Sequence, residues 1–389
     1  MSSASHKSRV SALVLSGGGA QAAYEVGVIK ALLQGRSPAT DYVPLEFSIV
    51  TGTSAGSVNA GLLLSALDNG ADQAMQYMES VWLDEIADSP GKCNNGVFRV
   101  RTDPMDFVDP ACFLRSPVAP VMELIQDSAF LTRELVKRSA AFLSSNQKLG
   151  KRALDFIDLA ALISNDALMA TLARTIDLER IRSSRKVLKI SCTNWRTGTI
   201  QLFSNQDMRD DLGLKIIQAS SAIPGIFPAV DIEGELYADG GVVMNTPLKP
   251  AIGCGADVIH VIYTDPTLSR IPLPALPNTA STMYRALLMA LCTIFKQDIE
   301  LAAETNLSVA RLHGKTDDAF ETRKGHRQIT IHRYNPFQDH NVGWLSFQQE
   351  GLRRLIDLGF KDGVEHDCVR SNCVLPYQVD DSPKALSPR

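Results

Sequence analysis

Gly52-Thr53-Ser54-Ala55-Gly56 is a G-x-S-x-G segment. It joins a strand-like run, FSIVTG at 47–52, to a helix-like run, SAGSVNAGLLLSAL at 54–67. A serine on such a turn is pushed into a strained, accessible position, and the glycines remove side chains that would collide there. The helix behind it offers unpaired N–H groups and a positive dipole end to a developing oxyanion. A plain serine N-cap would show the same pattern. A serine hydroxyl needs a base. None of the seven histidines, His6, His260, His313, His326, His332, His340 and His366, sits in a glycine-rich or turn context that singles it out. His260 sits in the apolar run ADVIHVIY and reads as a hydrogen-bonded structural residue. Asp239 is the more suggestive partner. It ends the run ELYA and precedes Gly240 and Gly241, so a sharp turn can present its carboxylate at a strand end. A solvated turn aspartate is the plainer alternative.

A third feature is Gly17-Gly18-Gly19, after the strand-like SALVLS and before the helix-like AQAAYEVGVIKALLQG. Glycine runs at a helix start expose N–H groups that can bind an anion. A dinucleotide fingerprint would want an acidic residue closing the second strand, but that strand ends in Thr51 and Gly52. A Walker loop would want Gly-Lys-Ser/Thr, which is missing. An oxyanion hole is the better reading.

The elements that must position these groups alternate. Two strand–tight turn–helix units in the first 70 residues predict an α/β fold with a parallel sheet. Residues 84–120 are rich in Pro, Asp, Asn and Gly and read as a loop or insertion; 121–180 read as helical. VLKISCTNWRTGTIQLFS at 187–204 predicts a hairpin, QITIHRY a last strand and LSFQQEGLRRLIDLGFKDG a last helix. Two segments could face lipid. One is 121–138, with apolar residues near helical spacing and Arg133, Lys137 and Arg138 beside them. The other is ALLMALCTIF at 286–295, for which core packing is the plainer reading. With 39 Lys plus Arg against 43 Asp plus Glu, the net charge of −4 argues against a general nucleic-acid binder. The seven cysteines show no C-x-x-C spacing, so neither a zinc ribbon nor a disulfide framework is expected. Reduced thiols of a cytosolic protein fit best. The polar start and the shortness of every apolar run predict neither a signal peptide nor a transmembrane helix.

SGGGAQAAYEVGVIKALL, GTSAG and ADGG-VVMNTPL occur in that order, with ASSAIPGIFP and NDALMATLARTIDLERIRSS between the last two. Together they resemble the patatin-like phospholipase family from about Ala12 to Asp265. The resemblance implies a three-layer α/β/α sandwich with a mainly parallel central sheet and helical insertions. It implies a Ser–Asp dyad, with Ser54 the nucleophile, Asp239 the general base, and Gly17, Gly18 and Gly19 the oxyanion-hole loop. Gly52, Gly56, Gly240 and Gly241 would support these motifs. The implied activity is cleavage of carboxylic esters in phospholipids or lysophospholipids through an acyl-enzyme, with no cofactor and no metal. A neutral-lipid lipase or general carboxylesterase with the same dyad is the nearest alternative. A non-catalytic lipid-binding protein is the alternative of another class. The implied partners are a lipid substrate and a peripheral membrane or micelle surface, without nucleic acid, and the expected location is cytoplasmic. Where the family often carries Arg or Lys and then Gly after the glycine run, this chain has Gln21 and Ala22, a departure that bears on phospholipid preference. The expected organisation is a catalytic domain at 11–265 with a helical insertion at about 84–180, a helical extension at 266–375 packed on it, and a disordered tail at 376–389.

Overall fold

The computed structural model describes residues 9–88, 95–97, 99–100, 163–164, 166–264, 279–313, 328–337 and 342–376. In chain order the main elements begin with β1 (Ser11–Leu15), α1 (Ala23–Leu33), β2 (Ile49–Thr53), α2 (Ala55–Ala66) and α3 (Ala71–Ser80), which runs on into a π-helical turn at Val81–Ile86. A two-residue antiparallel pair follows, β3 (Arg99–Val100) with β4 (Ile163–Ser164). Next come α4 (Asp166–Thr175), α5 (Leu178–Ser183), β5 (Val187–Asn194), β6 (Ile200–Ser204), α6 (Asp210–Ser220), β7 (Val230–Ile232) and β8 (Glu235–Asp239). The last are α7 (Gly241–Met244), α8 (Leu248–Gly253), β9 (Val258–Ile262), α9 (Thr279–His313), β10 (Thr330–Tyr334) and α10 (Gln349–Val364).

The sheet runs β10-β9-β1-β2-β5-β8-β7, with β6 also paired to β5. β10, β9, β1, β2 and β5 are mutually parallel; β6, β8 and β7 enter antiparallel. The fold is therefore α/β with a mixed, mostly parallel sheet flanked by helices, as the alternating sequence pattern predicts. Parallel strands are covered on both faces, so they read as apolar runs. On β1, Leu13 and Leu15 join one core with Val50 and Ile190, while Ala12 and Val14 join a second with Ile49, Ile259 and Ile331. The first core lies against α1 and α2 and the second against α8 and the middle of α9.

β10 lies beyond residue 265, yet it pairs with β9 from Thr330↔Val258 to Tyr334↔Ile262. The C-terminal stretch thus supplies a strand of the main sheet as well as a helix laid on it. α10 crosses α1 at close range: a Cβ on Gly27 would strike the Ile356 carbonyl, and one on Gly359 the Tyr24 carbonyl. The segment 286–295 lies inside α9, but Met289 is 51% exposed; the helix enters the core further on, through Ile299, Ala302 and Val309. Among the described residues no helix is long and apolar enough to cross a membrane. The segment 121–138, most of the expected insertion and residues 377–389 of the expected tail lie outside the described residues.

Candidate active site

β2 ends at Thr53, and Ser54 turns directly into α2 with φ 54° and ψ −130°. A non-glycine residue there stores about 1–3 kcal/mol of backbone strain. Neighbouring contacts enforce it. A Cβ on Gly52 would collide with the Gly56 backbone, and one on Gly56 with the Leu15 carbonyl. The Ser54 N–H donates to Ser220 Oγ at 2.9 Å, and Ser220 Oγ donates to the Ser191 carbonyl at 2.8 Å. Ser57 holds the Ser54 carbonyl from the helix side, through its Oγ at 2.6 Å and its N–H at 2.8 Å. The turn is pinned at both ends while the Ser54 hydroxyl is left to face elsewhere.

It faces Asp239, and the strand pairing explains how. Lys189–Ser191 of β5 pair with both β2 and β6, so those strands flank β5 on opposite edges. Cys192 and Thr193 pair with both β6 and β8, so β8 shares the edge that β2 occupies. β2 stops opposite Ser191, and β8, running the other way, stops with Asp239 opposite Cys192. The two strands meet head-on, which brings the residue after one against the last residue of the other. The Ser54 hydroxyl lies near enough to the Asp239 carboxyl to favour its ionised form. The Gly241 N–H donates to Asp239 Oδ1 at 2.7 Å. The Asp239 main chain is fixed by its N–H to Ala222 and by the Thr193 hydroxyl on its carbonyl, both at 2.9 Å. A Cβ on Gly240 would strike the Ser191 carbonyl, and one on Gly241 the Asp239 carboxyl itself. Burial pushes the Asp239 carboxyl up to about 7, against the lowering effect of the Ser54 hydroxyl and the Gly241 hydrogen bond.

The glycine loop lies beside this pair, and its three glycines differ. Gly17 packs against Ser54, where a Cβ would come within 2.9 Å of the serine Cβ. Its own N–H is already bonded to the Asn245 carbonyl at 3.1 Å, so it is not a spare donor. The N–H groups of Gly18 and Gly19 have no acceptor among the described residues. Gly19 is left-handed, with φ +54°. A side chain on Gly18 would run into the Thr264 hydroxyl, so a bulky residue there damages packing as well as the loop. Behind the loop, Thr264 Oγ1 and Asn245 Nδ2 donate to the Gly17 carbonyl at 3.0 and 3.3 Å, and the Ala20 N–H donates to the Trp344 carbonyl at 2.8 Å. Gln21 is buried, and its Nε2 donates to the Val342 carbonyl at 2.8 Å. Its side chain ties the loop to the segment before α10.

An apolar pocket of about 510 Å³, open mouth included, begins at Ser54 and Gly19. Val58, Trp82, Ile86, Phe227 and Phe347 line its length and Leu345 stands partly exposed in its wall. The π-helical turn aims Trp82 and Ile86 inward; such turns are frequent at functional sites. Trp82 Nε1 donates to Asn59 Oδ1 at 2.7 Å, and Asn59 Nδ2 donates to Glu25 at 2.8 Å, so the indole is held from behind. Burial raises the Glu25 carboxyl well above its usual range.

Sequence reasoning singled out the motif residues but not their supports. Ser220 stands in the ASSAIPGIFP run, though nothing local marks it as the partner of the Ser54 N–H, and Trp344 carries no local signal, since it contributes only a main-chain carbonyl from a distant segment. Asn245 could have been found, because it stands in the same ADGG-VVMNTPL motif as Asp239. His260 is buried in β9, and its Nδ1 meets the Tyr334 hydroxyl at 3.2 Å. It belongs to a second polar cluster, on the β9–β10 edge, where His332, His366, Cys368 and Cys373 converge. That cluster could hold a metal, which the lack of a C-x-x-C spacing did not suggest.

The sequence profile described as Patatin-like phospholipase matches residues 13–252. No curated protein matches the chain. Among solved structures, the crystal structure of VipD from Legionella pneumophila aligns with 92% of this chain and 66% of its own, at 16% identity and a TM-score of 0.33. The chain therefore spans slightly less than two thirds of VipD.

Proposed function

The chain belongs to the patatin-like phospholipase family, and from that premise we propose that it hydrolyses carboxylic esters of phospholipids or lysophospholipids with Ser54 as nucleophile and Asp239 as general base. The observation that carries this reading is the head-on approach of β2 and β8, with the Ser54 hydroxyl near the Asp239 carboxyl at the mouth of an apolar pocket. The family implies a lipid acyl hydrolase; the dyad and the ester class are our assignment.

The Ser54 oxygen attacks the ester carbonyl as its proton passes to Asp239. A carboxyl held at about 7 is a usable base at neutral pH, which an ordinary carboxylate is not. The negative oxygen of the tetrahedral intermediate is taken by the Gly18 and Gly19 N–H groups, while Gly17 serves as packing. Collapse expels the alcohol, which takes the proton from Asp239 and leaves an acyl-serine. Water then attacks with Asp239 again as base and releases the fatty acid. The apolar pocket takes the acyl chain, and a charged headgroup stays outside it. Substrate is met at a membrane or micelle surface.

The test is a fluorophosphonate probe together with a panel of phospholipids, lysophospholipids and triacylglycerols. Wild type should label and turn over; a folded Ser54→Ala variant should do neither. Labelling that survives in Ser54→Ala would reject the nucleophile. Preferred turnover of triacylglycerol would keep the dyad and move the substrate to neutral lipid. A wild-type protein that neither labels nor hydrolyses would leave the non-catalytic binding reading.

A further inference from the structure

The second cluster lies three strands from β2, at the β10 edge of the sheet. His332 is on β10, His366 follows the end of α10 by two residues, and Cys368 and Cys373 flank the turn beyond it. The four potential ligand atoms all lie within 4.8 Å of one another. His332 Nδ1 is 3.4 Å from Cys368 Sγ, and His366 Nε2 is 3.5 Å from both Cys368 Sγ and Cys373 Sγ. Bonds of about 2.3 Å to sulfur and 2.0–2.1 Å to nitrogen, at tetrahedral angles, put neighbouring sulfur and nitrogen ligands about 3.6 Å apart. The three measured separations sit close to that edge length.

We propose that His332, His366, Cys368 and Cys373 form a closed tetrahedral zinc site. Two thiolates and two imidazoles are a donor set that suits zinc in both softness and geometry. Two thiolates also neutralise a divalent ion, which suits a half-buried setting. Cys368 and Cys373 have four residues between them, within the usual range for paired zinc ligands. The surroundings hold the ligands in place. His260 stacks on His332 with ring centroids 5.0 Å apart, and the Tyr334 ring lies 4.5 Å from that of His366. The Arg333 N–H donates to Cys373 Sγ at 3.3 Å, as outer-shell donors to a metal thiolate do. The Cys373 N–H donates to the Cys368 carbonyl at 2.9 Å and closes the turn between the two sulfurs.

Four protein donors leave no open position, so the site is structural. It fastens the chain beyond α10 to the edge strand. Val374 already bonds Ile331 in both directions there, at 2.7 and 3.0 Å. A metal would lock that bridge and cover a sheet edge that would otherwise invite pairing with another chain.

The experiment uses the full chain, purified without a histidine tag or chelator, with first-row metals measured by mass spectrometry. One zinc per chain is expected. Cys368→Ser, Cys373→Ser and His366→Ala should each cut zinc at least tenfold, while Cys254→Ser, at an exposed cysteine elsewhere, should keep it. If the ligand variants do not fold, the wild type decides by itself. Zinc should protect two thiols from alkylation. Cobalt added after chelation should give the strong visible bands of tetrahedral coordination and a thiolate charge-transfer band. Zinc that persists in both cysteine variants would mean adventitious surface binding and overturn the site. So would a Cys368–Cys373 disulfide in the freshly purified protein, or wild-type protein lacking both zinc and the thiolate–cobalt band.

Discussion

Ser54 and Asp239, where β2 meets β8, are held by tight backbone; the His–Cys cluster on β10 is held by converging side chains. At the first, glycines at 17, 52, 56 and 240 each sit where a Cβ would strike a neighbouring atom, and Ser54 carries a strained φ of 54°. The reactive hydroxyl needs that crowding, because a serine is useful only where its attack direction is fixed. At the second, an ordinary parallel strand and a C-terminal turn bring rings and sulfurs together. The turn has one left-handed residue, Asn372 with φ 51°, of a type that tolerates that region, so little strain is stored there and a metal ion would organise its own ligands. The contrast separates a site that works by preorganised strain from one that works by cross-linking. It makes the two separable by mutation.

The largest effect belongs to Asp239. Asp239→Asn keeps an acceptor for the Gly241 N–H but removes the base, so kcat should fall by about 10²–10⁴ with the fold intact. The wild-type kcat/KM should rise with pH and level off above about 7, as the carboxyl ionises. Stability should run the other way. The folded carboxyl holds its proton more tightly than the unfolded one. Its contribution is therefore complete below about pH 4 and is lost as pH rises through 7, by roughly 4 kcal/mol for a carboxyl raised from 3.8 to about 7. Asp239→Asn should lack that loss and be the more stable protein at pH 8. A variant that is equally active, or a flat pH profile, breaks the first half of the contrast.

The next effect tests separability directly. Stripping zinc with a chelator should lower Tm by several degrees yet leave kcat on a short soluble ester unchanged at 25 °C. Ester turnover that tracks zinc content across a titration would show that the two ends act as one unit.

The same contrast explains what could be read from the chain. Ser54, Asp239 and the glycine loop were legible because each is announced by glycines one or two positions away. Steric crowding at a strand-to-turn junction is local, so it leaves a local signature. The parallel sheet was legible for the same reason, since β1–α1 and β2–α2 repeat one pattern. His332 and Cys373 carry no such signature. They stand on ordinary strand and turn residues 41 positions apart, and only the β9–β10 pairing and the length of α10 bring them together. The spacing His366-x-Cys368-x4-Cys373 was the one available hint. The distinction between Gly17 and its two neighbours was hidden too, because the Gly17 N–H is engaged by a carbonyl more than 200 residues away.

A smaller effect concerns the pocket. Leu345 is 36% exposed in the wall of the apolar slot, so Leu345→Glu should be tolerated by the fold. A carboxylate there opposes an acyl chain but not a short acid. KM for long-chain esters should rise about tenfold, near 1.4 kcal/mol, while a short ester is unaffected. An equal change on both esters would mean that the chain runs elsewhere.

The smallest expected effect falls on Gln21, where the family often carries a cation. Gln21 Nε2 holds the Val342 carbonyl, but Gln21 Oε1 is buried without a partner. Gln21→Met, close in volume, removes both the bond and the unsatisfied oxygen. A lost hydrogen bond costs about 1 kcal/mol, and an unsatisfied buried acceptor costs a similar amount, so the two nearly cancel. Stability should change by less than about 1 kcal/mol. Turnover should hold as well, because the loop is fixed by main-chain bonds, Gly17 to Asn245 and Ala20 to Trp344, that the substitution does not touch. This is the sharpest form of the claim that backbone crowding, rather than side-chain convergence, builds the first site. A folded Gln21→Met protein with kcat down about 100-fold would mean that a side chain sets the position of the Gly18 and Gly19 donors, and the contrast with the β10 edge would disappear.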